Sequence, residues 1–260
     1  GIASGYWFNI GFKSSVNLSL NPDGKVALTE GSTDIGGSRA SIAMQAAEVL
    51  GIPAEDVRPS VVDTDSIGIT DVTGGSRTTY ATGYAAYNAA HKLIEEIIEK
   101  AALKWDISKD HIEYSDGIVK SKTDSELKMT LKEIADDPPG GPIVSSASVD
   151  LEEAGGGFAV HIADLEIDGE TGKTDVVNYT AIQDVGRAIH PSYAEGQVEG
   201  GVAQGVGWAL SEGYLYNDEG HMTNASFLDY RMPTSYDLPS IETVLVEVPN
   251  PGHPLSLIHI

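Results

Sequence analysis

The run Gln183-Asp184-Val185-Gly186-Arg187-Ala188-Ile189-His190-Pro191, followed by a segment with Gly at 196, 200, 201, 205 and 207, constrains this chain most. It leaves an apolar strand, turns at Asp184–Gly186, and re-enters as a helix begun near Pro191. A Gly inside a helix costs roughly 1 kcal/mol relative to Ala, so five form a standing penalty of a few kcal/mol. Such a penalty is kept where another element or a ligand approaches the backbone closely. The glycines alone fit a helix thinned for tight packing. Gln197 among them, a long amide that both donates and accepts, points to a ligand wall.

The 260 residues, 41% hydrophobic, suffice for one large core or two smaller lobes. The net charge of −23 comes from 39 acidic and 16 basic residues. Lysines between Lys92 and Lys132 alternate with Glu and Asp as a solvated face, so nucleic acid and anionic membrane are excluded as partners. With no cysteine, the chain forms no disulfide, thiolate zinc site or cysteine-bound iron–sulfur cluster, which fits a reducing, cytoplasmic setting. No apolar run reaches the roughly 20 residues of a membrane span. Opening on Gly1 in mid-pattern, the sequence reads as a fragment.

Strands are expected at 15–20, 25–30, 57–62, 111–114, 117–119, 143–149, 158–167, 174–182 and 241–248, and helices at 39–50, 79–104, 131–135 and from 191. In the long helix Tyr80, Tyr84, Tyr87, His91, Ile94, Ile98 and Ala101 make the expected core stripe, with His91 a core histidine. The Asp136–Pro142 run cannot be helix or central strand and marks the expected boundary between lobes at about 1–137 and 143–254. Helices and strands mix without a βαβ rhythm or an internal repeat. The expected fold is therefore α+β, mixed sheets with packed helices in two lobes.

Several familiar sites are absent. Gly172-Lys173-Thr174 lacks the first glycine of a phosphate loop, and there is no Gly-x-Ser-x-Gly elbow or dinucleotide fingerprint. The histidines stand singly, so no protein-ligated metal is expected. What repeats is glycine with hydroxyls just before a helix: Gly36-Gly37-Ser38 and Thr73-Gly74-Gly75-Ser76-Arg77-Thr78, with Gly186-Arg187 as a third instance. Helix N-termini carry unpaired N–H groups and partial positive charge, and glycine admits an anion. Helix capping explains either motif alone. Together with Gln197 they point to a large anionic cofactor with many polar edges, held by backbone amides.

These blocks resemble the molybdenum-cofactor-binding domain of the xanthine dehydrogenase and aldehyde oxidase family of molybdenum hydroxylases. The matching runs are 34–39, 63–65, 73–80, 183–191 and 196–201, in family order up to Pro254. The resemblance implies a molybdenum-molybdopterin cofactor, with the cytosine dinucleotide form left open. It implies that Gly36, Gly37, Ser38, Thr73, Gly74, Gly75, Ser76, Arg77 and Thr78 contact the pterin and its phosphates, and that Gln197 lies toward the molybdenum. It further implies a water-dependent hydroxylation of an N-heterocycle or aldehyde, with iron–sulfur and FAD subunits or domains as partners and a small-molecule substrate. Two departures stand out. The first loop lacks the family's Gly-Gln-Gly glutamine, and Leu255–Ile260 stands where the family's Gly-Val-Gly-Glu segment carries its base. No catalytic residue is therefore assigned, residues 255–260 read as a non-family tail with an uncovered apolar end, and a non-catalytic cofactor-binding or assembly module is the rival reading.

Overall fold

The computed structural model describes residues 1–136, 138–152 and 155–258. The chain divides into two compact units, Gly1–Trp7 with Gly156–Val248, and Phe8–Gly155 with Pro249–Ile260.

The second unit is built on a sheet of β2 (Phe12–Leu20), β3 (Val26–Glu30), β4 (Val57–Val61) and β8 (Ile143–Leu151), in the order β4-β3-β2-β8. Alternation in β2 and β3 buries Val16, Leu18, Leu20, Val26 and Leu28 on one face. Against that face pack α1 (Ser38–Leu50) and α2 (Gly83–Trp105). Gly51, left-handed at φ 61, ends α1 by donating its N–H to the Ala47 and Glu48 carbonyls. A three-stranded sheet, β5 (Ile112–Ser115), β6 (Ile118–Ser121) and β7 (Lys128–Thr130), and the short α3 (Leu131–Asp136) complete this unit.

The first unit has a sheet in the order β1-β9-β10-β11, from β1 (Ile2–Phe8), β9 (Gly156–Ile167), β10 (Thr174–Asp184) and β11 (Ile241–Val246). The glycine-rich α4 (Pro191–Leu210) connects β10 to β11. The mixed sheets and packed helices are those expected, but four readings need correction.

The lobe boundary does not fall at Asp136–Pro142, of which Asp137 lies outside the described residues. Strand β8 pairs with β2 along its whole length, from Phe12↔Leu151 to Leu20↔Ile143, so the proline-rich run is a loop inside the second unit. Two parallel crossovers are also present: β3 pairs parallel with β4 across α1, and β10 pairs parallel with β11 across α4. Each unit thus repeats one plan, an antiparallel hairpin, a helix and a parallel strand, plus an edge strand from elsewhere in the chain. The repeat lies in topology, not in sequence.

The core stripe of α2 is Ala85, Ala86, Ala89, Ala90, Leu93, Ile97 and Ala101. Tyr84, Tyr87, Ile94 and Ile98 flank it half-buried, and His91 is exposed with its ring against Tyr87. Small residues face inward because they let a helix approach its neighbours closely. Finally, the tail is not an uncovered apolar end. Leu257 and Ile258 are buried, and the Asn250 and Asn9 amides donate to their carbonyls at 2.7 and 2.8 Å. Ile260 lies outside the described residues.

Candidate functional site

The loop after β3 enters α1 through a single 3-10 turn, Ile35–Gly37. Gly36 and Gly37 are both left-handed, at φ 59 and φ 80, and Ser38 returns to φ −53, ψ −30. A left-handed residue followed by a right-handed one turns successive N–H groups toward a common point, an anion-binding concavity. Asp34 staples the loop from outside, accepting the Arg39 N–H at 3.0 Å and pairing with its guanidinium at 3.1 Å. Ser38 is buried and donates its hydroxyl to the Thr33 carbonyl at 3.4 Å.

The second loop repeats the device. Gly75 and Ser76 are left-handed at φ 63 and φ 57, and Arg77 is right-handed at φ −94, ψ −20. Among the described residues the N–H groups of Gly74, Gly75 and Ser76 make no hydrogen bond. The two loops touch, since the Thr33 N–H donates to the Thr73 hydroxyl at 3.3 Å. Gly74 is exposed, and a Cβ there would meet only Val72 Cγ2 at 4.0 Å. At Gly75 a Cβ would overlap the Ile10 side chain. Close approach at Gly75 is therefore made by Ile10, whereas the open flank belongs to Gly74.

Arg77 and Thr78, both buried, lead into a five-residue π-helical turn, Thr78–Thr82, before α2. Such turns widen the backbone spiral and loosen its hydrogen-bond ladder. Gln45 of α1 compensates by donating its amide to the Thr79 carbonyl at 2.9 Å, and it lies where a Cβ on Gly83 would be. The helix behind the first loop thereby braces the start of the helix behind the second.

The guanidinium of Arg77 is spent within the protein. Nε donates to Gly11 O at 2.6 Å, one terminal nitrogen to Asp71 O at 3.0 Å and Val72 O at 3.4 Å. The other donates to Lys13 O and to Ser14 Oγ, both at 2.6 Å. These five bonds use all the N–H donors an arginine has, so a direct hydrogen bond from Arg77 to a ligand has no donor left. Burial lowers its pKa, but a guanidinium stays charged. Arg77 is a fixed cation beneath the second loop, shaping it from inside.

Two buried groups near these loops escaped sequence reasoning. Glu30, at the end of β3, is 1% exposed, and its pKa is raised, chiefly by burial, against the lowering effect of hydrogen bonds from Ser32. Asp34 raises it further and Arg39 lowers it. One carboxylate oxygen accepts the Ser32 N–H at 2.5 Å, while the other has no partner among the described residues. Thr82 is the second, its hydroxyl lying 2.9 Å from Ser14 Oγ and 2.8 Å from Ser32 Oγ. A glutamate at a strand end and a threonine at a helix start carry no signal in a single sequence.

Gln197 belongs to the other unit. It is exposed on α4, where Gly196, Gly200, Gly201 and Gly205 have nothing within 4 Å of a would-be Cβ. Only Gly207 is pressed, by Glu212 and Pro233. Four of the five glycines are thus not explained by packing within the described residues. Ahead of the helix, Asp184 accepts the Gly186 N–H at 3.1 Å. Among the described residues, no group of three or more His, Cys, Asp or Glu side chains is placed to hold a metal ion.

This geometry, two amide concavities joined by Thr33–Thr73 over a buried cation, suits an anionic ligand with several polar edges. Comparison with known proteins gives the ligand's class. The chain is 32% identical over 249 residues to the xanthine dehydrogenase molybdenum-binding subunit of Escherichia coli O157:H7, covering 92% of this chain and 33% of that protein. It is 28% identical over 249 residues to the carbon monoxide dehydrogenase large chain of Afipia carboxidovorans, covering 93% and 31%. Among solved structures, quinoline 2-oxidoreductase from Pseudomonas putida 86 superposes with a TM-score of 0.86 at 26% identity, covering 100% of this chain and 36% of that one. The chain spans about a third of the length of these relatives. Residues 1–239 match the molybdopterin cofactor-binding domain, and the chain belongs to that family.

Proposed function

We propose that this chain is the cofactor-cradling part of a molybdenum hydroxylase that oxidises a carbon of an N-heterocycle or an aldehyde, with water as oxygen source. The observation that carries this reading is the pair of glycine loops whose amides, in the second loop, have no partner among the described residues. In a chain of net charge −23, oriented amides and one buried guanidinium hold phosphates without a lysine cluster. The molybdenum cofactor, when bound, supplies the two-electron chemistry. The protein's share is binding and orientation.

Within that share, Gly36, Gly37, Gly74, Gly75 and Ser76 present N–H groups, and the Thr73 hydroxyl lies at the junction of the loops. Ser38, Arg77 and Thr78 are buried and act by shaping them. Gln197 is assigned to the metal end of the cofactor, supported by its exposure on an uncovered glycine face. The electrons would leave through iron–sulfur and FAD partners, and the cytosine dinucleotide form of the cofactor is the variant to look for first. A cytoplasmic location goes with this reading. No helix among the described residues is long and apolar enough to cross a membrane.

Gly74→Val in the full-length protein is the direct test. The new side chain enters open space on the loop, so the fold should be indifferent to it and a cofactor should not. Molybdenum per chain is expected to fall roughly tenfold, equivalent to about 1.4 kcal/mol of binding. Unchanged molybdenum in Gly74→Val would remove the loop from the site.

A further inference from the structure

Arginine only donates hydrogen bonds, whereas a hydroxyl can donate one and accept two, so hydroxyls behind an arginine can be strung into a chain. Ser14 Oγ accepts from Arg77 at 2.6 Å and shares a hydrogen bond with Thr82 Oγ1, 2.9 Å away. Thr82 in turn shares a hydrogen bond with Ser32 Oγ at 2.8 Å. Ser32 closes the chain through its backbone, its N–H donating to the Glu30 carboxylate at 2.5 Å. All five side chains are buried, with Glu30 at 1% and Arg77 and Thr82 at 0% exposure.

We infer that Ser14, Thr82 and Ser32 form a hydroxyl relay that runs from Arg77 to Ser32 and on to Glu30 through the Ser32 N–H, which holds the two glycine loops as one cradle, with Glu30 the positioning residue of the first loop. The relay begins at the residue that shapes the second loop. It ends at the strand terminus from which the first loop springs, and it passes through the last residue of the π turn. Hydrogen bonds aligned in a chain polarise one another, and in a low-dielectric interior the effect is enlarged. A cation anchors the chain at one end, and the Ser32 N–H ties it to a buried carboxylate at the other. Breaking any link therefore relaxes both loops rather than one.

This inference rests on the reading of the loops as cofactor-holding, and the experiment separates the two. Full-length holoprotein carrying Ser14→Ala, Ser32→Ala or both, and Thr82→Val or Thr82→Ser, is dialysed, and the molybdenum retained per chain is followed with time. Each single break should speed release roughly three- to tenfold, the worth of one buried hydrogen bond. The double variant should release no faster than the more severe single one, since both open the same chain. Thr82→Ser, which restores the hydroxyl, should behave as wild type. Multiplying single effects, or Thr82→Val retaining cofactor like wild type, would overturn the relay. Absence of molybdenum from the wild-type protein would overturn the cofactor reading instead. In that case the same double-mutant cycle on unfolding midpoints decides the relay: non-additive shifts uphold it and additive ones sink it.

Discussion

The imidazole of His253 lies 4.8 Å from the Tyr80 ring, centroid to centroid, and its Nε2 donates to the Tyr80 carbonyl at 3.2 Å. Its Nδ1 accepts the Leu255 N–H at 3.2 Å, which fixes the neutral tautomer. Tyr84 also packs edge-on against it, with ring centroids 5.3 Å apart. The chain after β11 is thereby tied to the π turn that follows the second loop.

That burial moves the His253 pKa from 6.5 down to about 4, with desolvation the main cause and the Tyr80 hydrogen bond opposing it. The folded state thus binds fewer protons than the unfolded one as acid is added. Stability is fully present above pH 6.5, falls as pH drops toward 4, and levels off below. The loss is on the order of 3 kcal/mol. Denaturant unfolding between pH 7.5 and 4, compared with His253→Phe, checks this. If both proteins lose stability equally over the interval, the histidine is not the group responsible.

Gly74 and Gly75, adjacent in sequence, should respond oppositely to valine. Gly75→Val meets both a left-handed backbone and the Ile10 side chain, and should cost about 2–4 kcal/mol of stability. Gly74→Val should shift stability by less than about 0.5 kcal/mol while losing cofactor. Thermal melts alongside metal analysis distinguish them, and equal melting points for the two variants would contradict the structure.

Arg77→Lys should be nearly as damaging as Arg77→Met. An ammonium has three donors in place of five and cannot reach Gly11, Lys13 and Asp71 carbonyls with a fixed fork. Leaving buried carbonyls unpaired should cost about 3–5 kcal/mol in either case. A lysine variant with wild-type stability would show that charge alone suffices there.

Gln197→Ala removes an exposed side chain, so melting temperature and molybdenum content should hardly change. Turnover per bound molybdenum in the full-length enzyme should drop by roughly tenfold or more if the amide acts on the reacting end. Wild-type turnover in that variant would reduce Gln197 to a surface residue.

Punctuation made much of this fold readable from sequence. Gly51 stops α1, Asn21–Gly24 joins β2 to β3, and Pro191 starts α4, because each imposes a local backbone geometry without help from the rest of the chain. Size misled where smallness mattered. The tyrosines of α2 are far bulkier than its alanines, yet Ala85, Ala86, Ala89 and Ala90 hold the inner face. Pairing over long separation was illegible. Nothing local says that Ile143–Leu151 returns to β2, or that Ser32 and Ser14 meet the same hydroxyl across 50 and 68 residues. The glycine loops were visible as composition. Which glycine is open and which is packed required three dimensions.

The π turn at Thr78–Thr82 has a consequence for how this fold can vary. A turn of this kind spends one residue more than an α-helical turn, so it rotates everything before it by about 100° about the helix axis. Deleting a single residue there would leave α2 and its core face untouched and swing the second loop a quarter-turn or more away from Thr33. The aim of the loop is therefore set by a residue count, and insertions or deletions at this point, more than any side-chain exchange, are how such a scaffold would be re-aimed at a differently shaped ligand.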